Sequence, residues 1–190
     1  KKQQIIQSKK NLKKNLITIR EFIDKSIGEW KSIRSSHTLA FQEFENTNSS
    51  IIISYQNIES EEVLEIKNRL KLSQNLSFAI KISWKSISEW TTENNTQESN
   101  TILIFVPEDE FKGTLIKDKG YAEKIPSSSQ YYMDEGKTFN IKSEYNATIS
   151  EEKIWFLSKN VRSRYSVIKN KINNGIVQTS HATEIRKIIT

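Results

Sequence analysis

The chain has 190 residues, 35% of them hydrophobic, which suffices for one sizeable core, and no apolar run long enough to cross a bilayer as a helix. It contains no cysteine, which excludes a disulfide frame, a thiolate nucleophile and a cysteine-ligated metal. The formal net charge of +6 is local: residues 1–20 hold seven basic and no acidic side chains, leaving 22 basic against 23 acidic over residues 21–190.

In chain order, the acid-free arm over residues 1–20 fits a nucleic-acid or membrane tail, or the remnant of an organelle transit peptide. The charge balance of the remainder favours a processing or cloning remnant, with residues 21–190 as one domain. Residues 17–28 read as a short helix with Phe22, Ile23 and Ile27 on one side and Gly28 as its stop. A second helix is expected over 60–71, with Glu61 and Glu62 in its first turn and a Val63, Ile66, Leu70 stripe. The rest reads as β: strands at 30–42, 50–57, 77–86, 100–106, 113–118, 127–133, 138–148, 152–158, 161–169 and 175–186. Turn signals such as Asp134-Glu-Gly136 and Ser158-Lys-Asn160 separate several of them. The polar stretch Thr91–Asn100 is expected to be an exposed loop. Ten short antiparallel strands with one or two small helices fit a closed barrel, because closure removes exposed edges. A barrel of this size can hold one small ligand.

The richest stretch is Glu152–Ser166. A strand alternates its side chains, so Arg162, Arg164 and Ser166 share one face. Two guanidiniums on one face suit a ligand with two carboxylates or phosphates, although a solvated outer face would also carry them. Glu152, which begins this hairpin, and Glu144, mid-strand opposite Phe139 and Ile141, are the candidate carboxylates. Each would either neutralise an arginine or accept N–H bonds from a ligand. Four tryptophans, Trp30, Trp84, Trp90 and Trp155, mark strands. Trp84 and Trp90 share a face if their strand stays regular between them. His37 and His181 lack a partner at metal-ligand spacing, so no metal site is expected, and no Gly-x-Ser-x-Gly or phosphate loop occurs.

An ordered series of segments closely resembles the S-type phycobiliprotein lyases, the CpcS/CpeS family. It includes Phe22-Ile-Asp-Lys-Ser-Ile-Gly-Glu-Trp30, Arg34-Ser-Ser-His37-Thr-Leu-Ala-Phe41 and Ile82-Ser-Trp84-Lys-Ser-Ile-Ser-Glu-Trp90. Lys119-Gly-Tyr-Ala-Glu-Lys124, the Glu152–Ser166 hairpin and the closing Glu184-Ile-Arg186 complete it. The chain departs at Thr38, where the family commonly has a second His, and around Asn173–Gly175, where it has Gly-Gly-Phe. The arm over 1–20 lies outside the resemblance.

The resemblance implies a lipocalin-like or fatty-acid-binding-protein-like barrel. Such a barrel would bind an open-chain tetrapyrrole (a bilin, such as phycoerythrobilin or phycocyanobilin) as substrate, with no permanent cofactor. It would then direct thioether attachment to a cysteine of an apo-phycobiliprotein subunit. The implied bilin-binding residues are Arg162, Arg164, Ser166, Trp84, Trp90, Trp155 and Arg34; Glu152, Glu144 and His37 are the candidates for acid–base and electrostatic work. The expected setting is the plastid of a eukaryotic alga, or else a cyanobacterial cytoplasm. The bilin would come from a bilin reductase; neither nucleic acid nor membrane is an expected partner, and homodimerisation is left open. The competing readings are a non-catalytic carrier of a bilin or fatty acid on the same fold, and a nucleic-acid-binding barrel motivated by the arm.

Overall fold

A computed structural model describes residues 16–72, 76–88, 97–118 and 127–188. Ten antiparallel strands close in the order β1-β10-β9-β8-β7-β6-β5-β4-β3-β2, so no strand edge is left open. They are β1 (Gly28–Thr38), β2 (Glu43–Gln56), β3 (Phe78–Ser88), β4 (Gln97–Pro107) and β5 (Lys112–Lys117). The circuit continues with β6 (Ser127–Met133), β7 (Phe139–Glu144), β8 (Thr148–Ser158), β9 (Val161–Asn170) and β10 (Ile176–Arg186). Among the described residues, two helices, α1 (Ile19–Ser26) and α2 (Glu61–Arg69), accompany the strands.

The first helix starts inside the basic arm. Thr18 caps it, accepting from the Glu21 N–H at 3.2 Å while the Glu21 carboxylate accepts from the Thr18 N–H at 2.8 Å. It ends two residues before Gly28, which opens β1 at φ 130°, and a Cβ there would lie 2.7 Å from Arg186 Nη1. That backbone conformation favours glycine, whereas the approach is to the tip of a flexible side chain. The apolar face of α1 plugs one end of the barrel. Phe22 packs against Phe139 and Phe156, each at 5.2 Å between ring centres, and Ile19 and Ile23 join the same core. This end is the floor. From it the inward residues run Trp30, Ser32, Arg34, Ser36 on β1 and Arg186, Glu184, Ala182, Ser180 on β10.

The second helix lies outside the barrel. Val63 and Ile66 pack on Ala79, Ile102, Ile104, Val106 and Ile116, the outward residues of β3, β4 and β5. Strand β4 is therefore buried on both faces, with Leu103 and Phe105 pointing in, which accounts for its unbroken run Ile102-Leu-Ile-Phe-Val106. The structure also shifts several expected boundaries: β2 starts at Glu43 rather than 50, β7 ends at Glu144 rather than 148, and β8 starts at Thr148 rather than 152. Gln97–Asn100 are strand rather than loop, pairing with β3 while exposed, and Leu39–Gln42 form a turn between β1 and β2.

Candidate functional site

Along β9 the inward side chains climb from the floor: Arg162, then Arg164, then Ser166. They meet different surroundings. Arg162 is ion-paired to Glu184 of β10, with side chains 4% and 1% exposed, and its guanidinium lies 4.6 Å over the Trp30 ring. Arg186 sits 4.2 Å from the same ring and donates to the carbonyls of Ile27, at 2.6 Å, and Lys25, tying the floor to the end of α1. Burial lowers the pKa of Arg162, and the Glu184 carboxylate opposes that shift. The expectation that Arg162 offers its fork to a ligand is therefore corrected. A guanidinium this deep needs a protein carboxylate for company, and it has one.

One step up, Arg164 Nη2 donates to Glu152 Oε1 of β8 at 2.6 Å, with side chains 35% and 18% exposed. Burial alone would raise the Glu152 pKa, but the charges of Arg164, Lys117 and Arg162 outweigh it and hold the carboxyl below its ordinary value. Arg164 shows the converse: burial works against its charge, while Glu152 and Glu184 carry its pKa well above the usual range. Ser166 and Ser180 share a hydrogen bond of 2.8 Å one step nearer the mouth.

The lumen above the floor is open to water. Arg34 occupies an inward position between Thr47 of β2 and Ala182 of β10, yet it is exposed. An inward side chain in a closed barrel reaches solvent only through an open end. Trp84 also faces inward, opposite Ile51 of β2 and Ser99 of β4, and is half-buried. Its partner in the expected stacking pair, Trp90, lies outside the described residues, as does Lys119–Lys124.

Three expected site residues lie on the outer face. Glu144 alternates with Phe139, Ile141 and Ser143, which take the lumen, and instead contacts Lys171 at 3.1 Å and Lys142 at 3.5 Å. Those lysines hold its pKa below the ordinary value. His37 points out beside Phe44, at 5.0 Å between ring centres. Trp155 pairs with Ser163, whose hydroxyl meets His181 Nε2 at 2.8 Å on the outside of the wall. Ile154 and Phe156, its neighbours, are the lumen residues of β8.

Several lumen charges went unnoticed in the sequence, Glu184 and Lys117 among them. Glu184 was visible only as part of a closing motif, because its partnership with Arg162 depends on a register that shifts at a bulge between Ile176 and Gln178. Lys117 follows Gly113 and Leu115 on the inward face of β5, an alternation masked by the apolar Ile116, which points out beneath α2.

The arrangement combines a buried floor, in which Glu184 answers Arg162, with a partly accessible Arg164–Glu152 pair. The guanidinium can take a ligand carboxylate bidentately, and the glutamate so released can accept N–H donors from the same ligand.

A family model described as CpeS-like protein matches residues 18–187. A chromophore lyase CpcS/CpeS of Trichodesmium erythraeum is 38% identical over 175 residues, covering 88% of this chain and 98% of that protein. The phycocyanobilin lyase subunit CpcS of a Picosynechococcus species is 26% identical over 153 residues, covering 79% of this chain and 77% of its own length. Among solved structures, the S-type phycobiliprotein lyase CPES from Guillardia theta superposes with a TM-score of 0.79 at 31% identity, covering 92% of this chain and 95% of that one. With a match that takes in α1, α2 and every strand of the barrel, the chain belongs to the CpeS-like family.

Proposed function

We propose that the protein is a phycobiliprotein bilin lyase that binds an open-chain tetrapyrrole in the solvent-open half of its lumen and presents it to a cysteine of an apo-phycobiliprotein subunit. The observation that carries this reading is the Arg164–Glu152 pair, in hydrogen-bond contact at 2.6 Å and only half-buried in the lumen wall. A propionate of the bilin displaces Glu152 from Arg164. Glu152 then accepts the pyrrole N–H groups and favours the protonated tetrapyrrole, which makes the terminal ring a better electrophile. The thiol comes from the acceptor, and its sulfur adds to the bilin while its proton ends on the chromophore, so nothing is released. The barrel's contribution is orientation: it holds one conformer of a flexible ligand in place for one thiol. Trp84 supplies a flat face for a ring, and Arg34 supplies positive charge on the adjoining wall.

Phycoerythrobilin or phycocyanobilin, received from a bilin reductase, is the substrate in this reading, the lyase domain begins at Thr18, which caps the first helix, rather than at residue 21, and an algal plastid is the setting. The names of the relatives and the lysine-rich arm support these points. The test mixes the full chain, phycocyanobilin or phycoerythrobilin and an apo-subunit, and follows the covalent adduct by absorption and mass. Adduct should form faster than with bilin and apo-subunit alone, and Arg164→Met should remove the acceleration. Saturable bilin binding without acceleration would reduce the protein to a carrier.

A further inference from the structure

We infer that Lys117 is a second carboxylate anchor of the lumen, holding one propionate of the tetrapyrrole while Arg164 holds the other. The inference rests on the bilin reading above and names the group that completes it. A bilin carries two propionates. The sequence offers Arg162 and Arg164 as a matched fork, but Arg162 is consumed by Glu184 beneath the lumen. The second negative charge of the ligand therefore needs another cation.

Lys117 is placed for this. It is the last residue of β5, inward by its register with Leu103 of β4 and Ser127 of β6. It sits one inward step nearer the mouth than the buried Leu115 and is itself half-buried. Among the described residues no carboxylate pairs with it and no hydrogen bond engages its ammonium. Its charge nevertheless acts on Glu152, second only to Arg164 among the groups that hold that carboxyl down. The ammonium of Lys117 and the guanidinium of Arg164 thus act on one carboxylate from different strands. Once Glu152 turns to the protonated tetrapyrrole, the two cations are left to the two propionates, one each. The two propionates of a bilin sit on its neighbouring central rings, each on a short flexible arm, so both can reach this one region.

Arg34 is the other lumen cation without a partner among the described residues, but it lies in the open mouth, where water screens it. Glu45 faces inward near it and has interactions of its own. Half-buried Lys117 is less screened, and a half-buried cation with no counter-charge is costly to keep unless a ligand supplies one.

The experiment titrates wild type, Lys117→Met, Lys117→Arg and Arg164→Met, all as full chains, with phycocyanobilin and with its dimethyl ester, reading bilin absorption. Wild type should prefer the diacid. Lys117→Met should lose about tenfold in diacid affinity, the scale of one charge-assisted contact, with little change for the ester. Lys117→Arg should recover most of the loss. Circular dichroism confirms that each variant is folded. If Lys117→Met keeps the wild-type preference for diacid over ester while Arg164→Met loses it, Lys117 is no anchor and the bilin reading survives. If wild type binds neither compound saturably, the bilin reading fails and takes the anchor with it.

Discussion

Replacing Arg162 with Met removes the guanidinium that Glu184 binds and leaves a carboxylate whose side chain is 1% exposed without its counter-ion. Breaking a buried pair from one side costs about 3–5 kcal/mol, because the remaining charge stays desolvated. The lost stacking over Trp30 at 4.6 Å adds to this. The corresponding change at Arg164 is far milder. Its side chain is 35% exposed and that of Glu152 18%, so water reaches the abandoned carboxylate, and about 1 kcal/mol or less is expected. For a chain of this length each 1 kcal/mol moves the melting temperature by about 2–4 °C. Arg162→Met should therefore melt at least about 6 °C below wild type, and Arg164→Met within about 4 °C of it. Thermal melts by circular dichroism read both. Adding Glu184→Leu to Arg162→Met should restore much of the loss, since the orphaned charge goes with it. An Arg162→Met variant that melts within about 2 °C of wild type would refute the assignment of this arginine to the floor and return it to the ligand.

Other outcomes follow from single contacts. Trp84→Phe should weaken bilin binding by about 0.5–1.5 kcal/mol through lost ring surface, read by absorption titration; unchanged affinity would take Trp84 out of the contact set. Among the described residues Tyr131 Oη is buried without a hydrogen-bond partner, and burial pushes its pKa up to about 12, helped by Asp109 and Glu108. Tyr131→Phe should accordingly leave urea-unfolding stability unchanged or raise it by about 1 kcal/mol, whereas a clear loss would reveal a bond to this hydroxyl. Glu152 is held below its ordinary pKa, so its stabilising contribution is complete above the unfolded value of about 4.3 and is lost as pH falls through the folded value. The stability gap between wild type and Glu152→Gln should then be present near neutral pH and close in acid; a gap independent of pH would contradict the ionised pair.

The fold was legible because ten runs of β-forming residues are punctuated by turn residues, and two capped amphipathic segments stand apart from them. What sequence could not settle was which face of each strand looks inward. On β9 the alternation of Arg162, Arg164 and Ser166 against Val161, Tyr165 and Val167 was clear, but which face met the lumen was not. Strand β8 is apolar at both parities, with Ile154 and Phe156 inside and Trp155 and Leu157 outside, so Trp155 had no pattern to place it. Strand β5 fails for the same reason, because α2 buries Ile116 from outside and hides the inward turn of Lys117. For Glu144 the pattern was sufficient: Phe139 and Ile141 claim the core, and the glutamate had to face out. Partnership across strands is a different kind of information. Arg162 belongs to Glu184 and Arg164 to Glu152 only once the register of β8, β9 and β10 is known.

That division of the lumen also bears on what it can hold. A fatty acid brings one carboxylate and a long alkyl chain, and it needs apolar wall along its length. The apolar inward residues of this barrel, among them Phe78, Phe105, Leu115 and Phe139, are already packed together with α1 at the floor. Above them the wall turns to hydroxyls, including Ser32, Ser36, Thr47, Ser143 and Ser180. An alkyl chain laid along such a wall offers its polar groups no donor or acceptor, and it covers the half-buried Arg164 and Glu152 and the exposed Arg34 with nothing in return for their lost water. A tetrapyrrole offers carbonyls, N–H groups and two carboxylates along its edge, and can answer those hydroxyls while its rings meet Trp84. Palmitate should therefore fail to displace phycocyanobilin from the full chain even at a large molar excess. A competition titration followed by bilin absorption measures this, and stoichiometric displacement by palmitate would show that the upper lumen accommodates an alkyl chain and that the hydroxyl lining does not select its ligand.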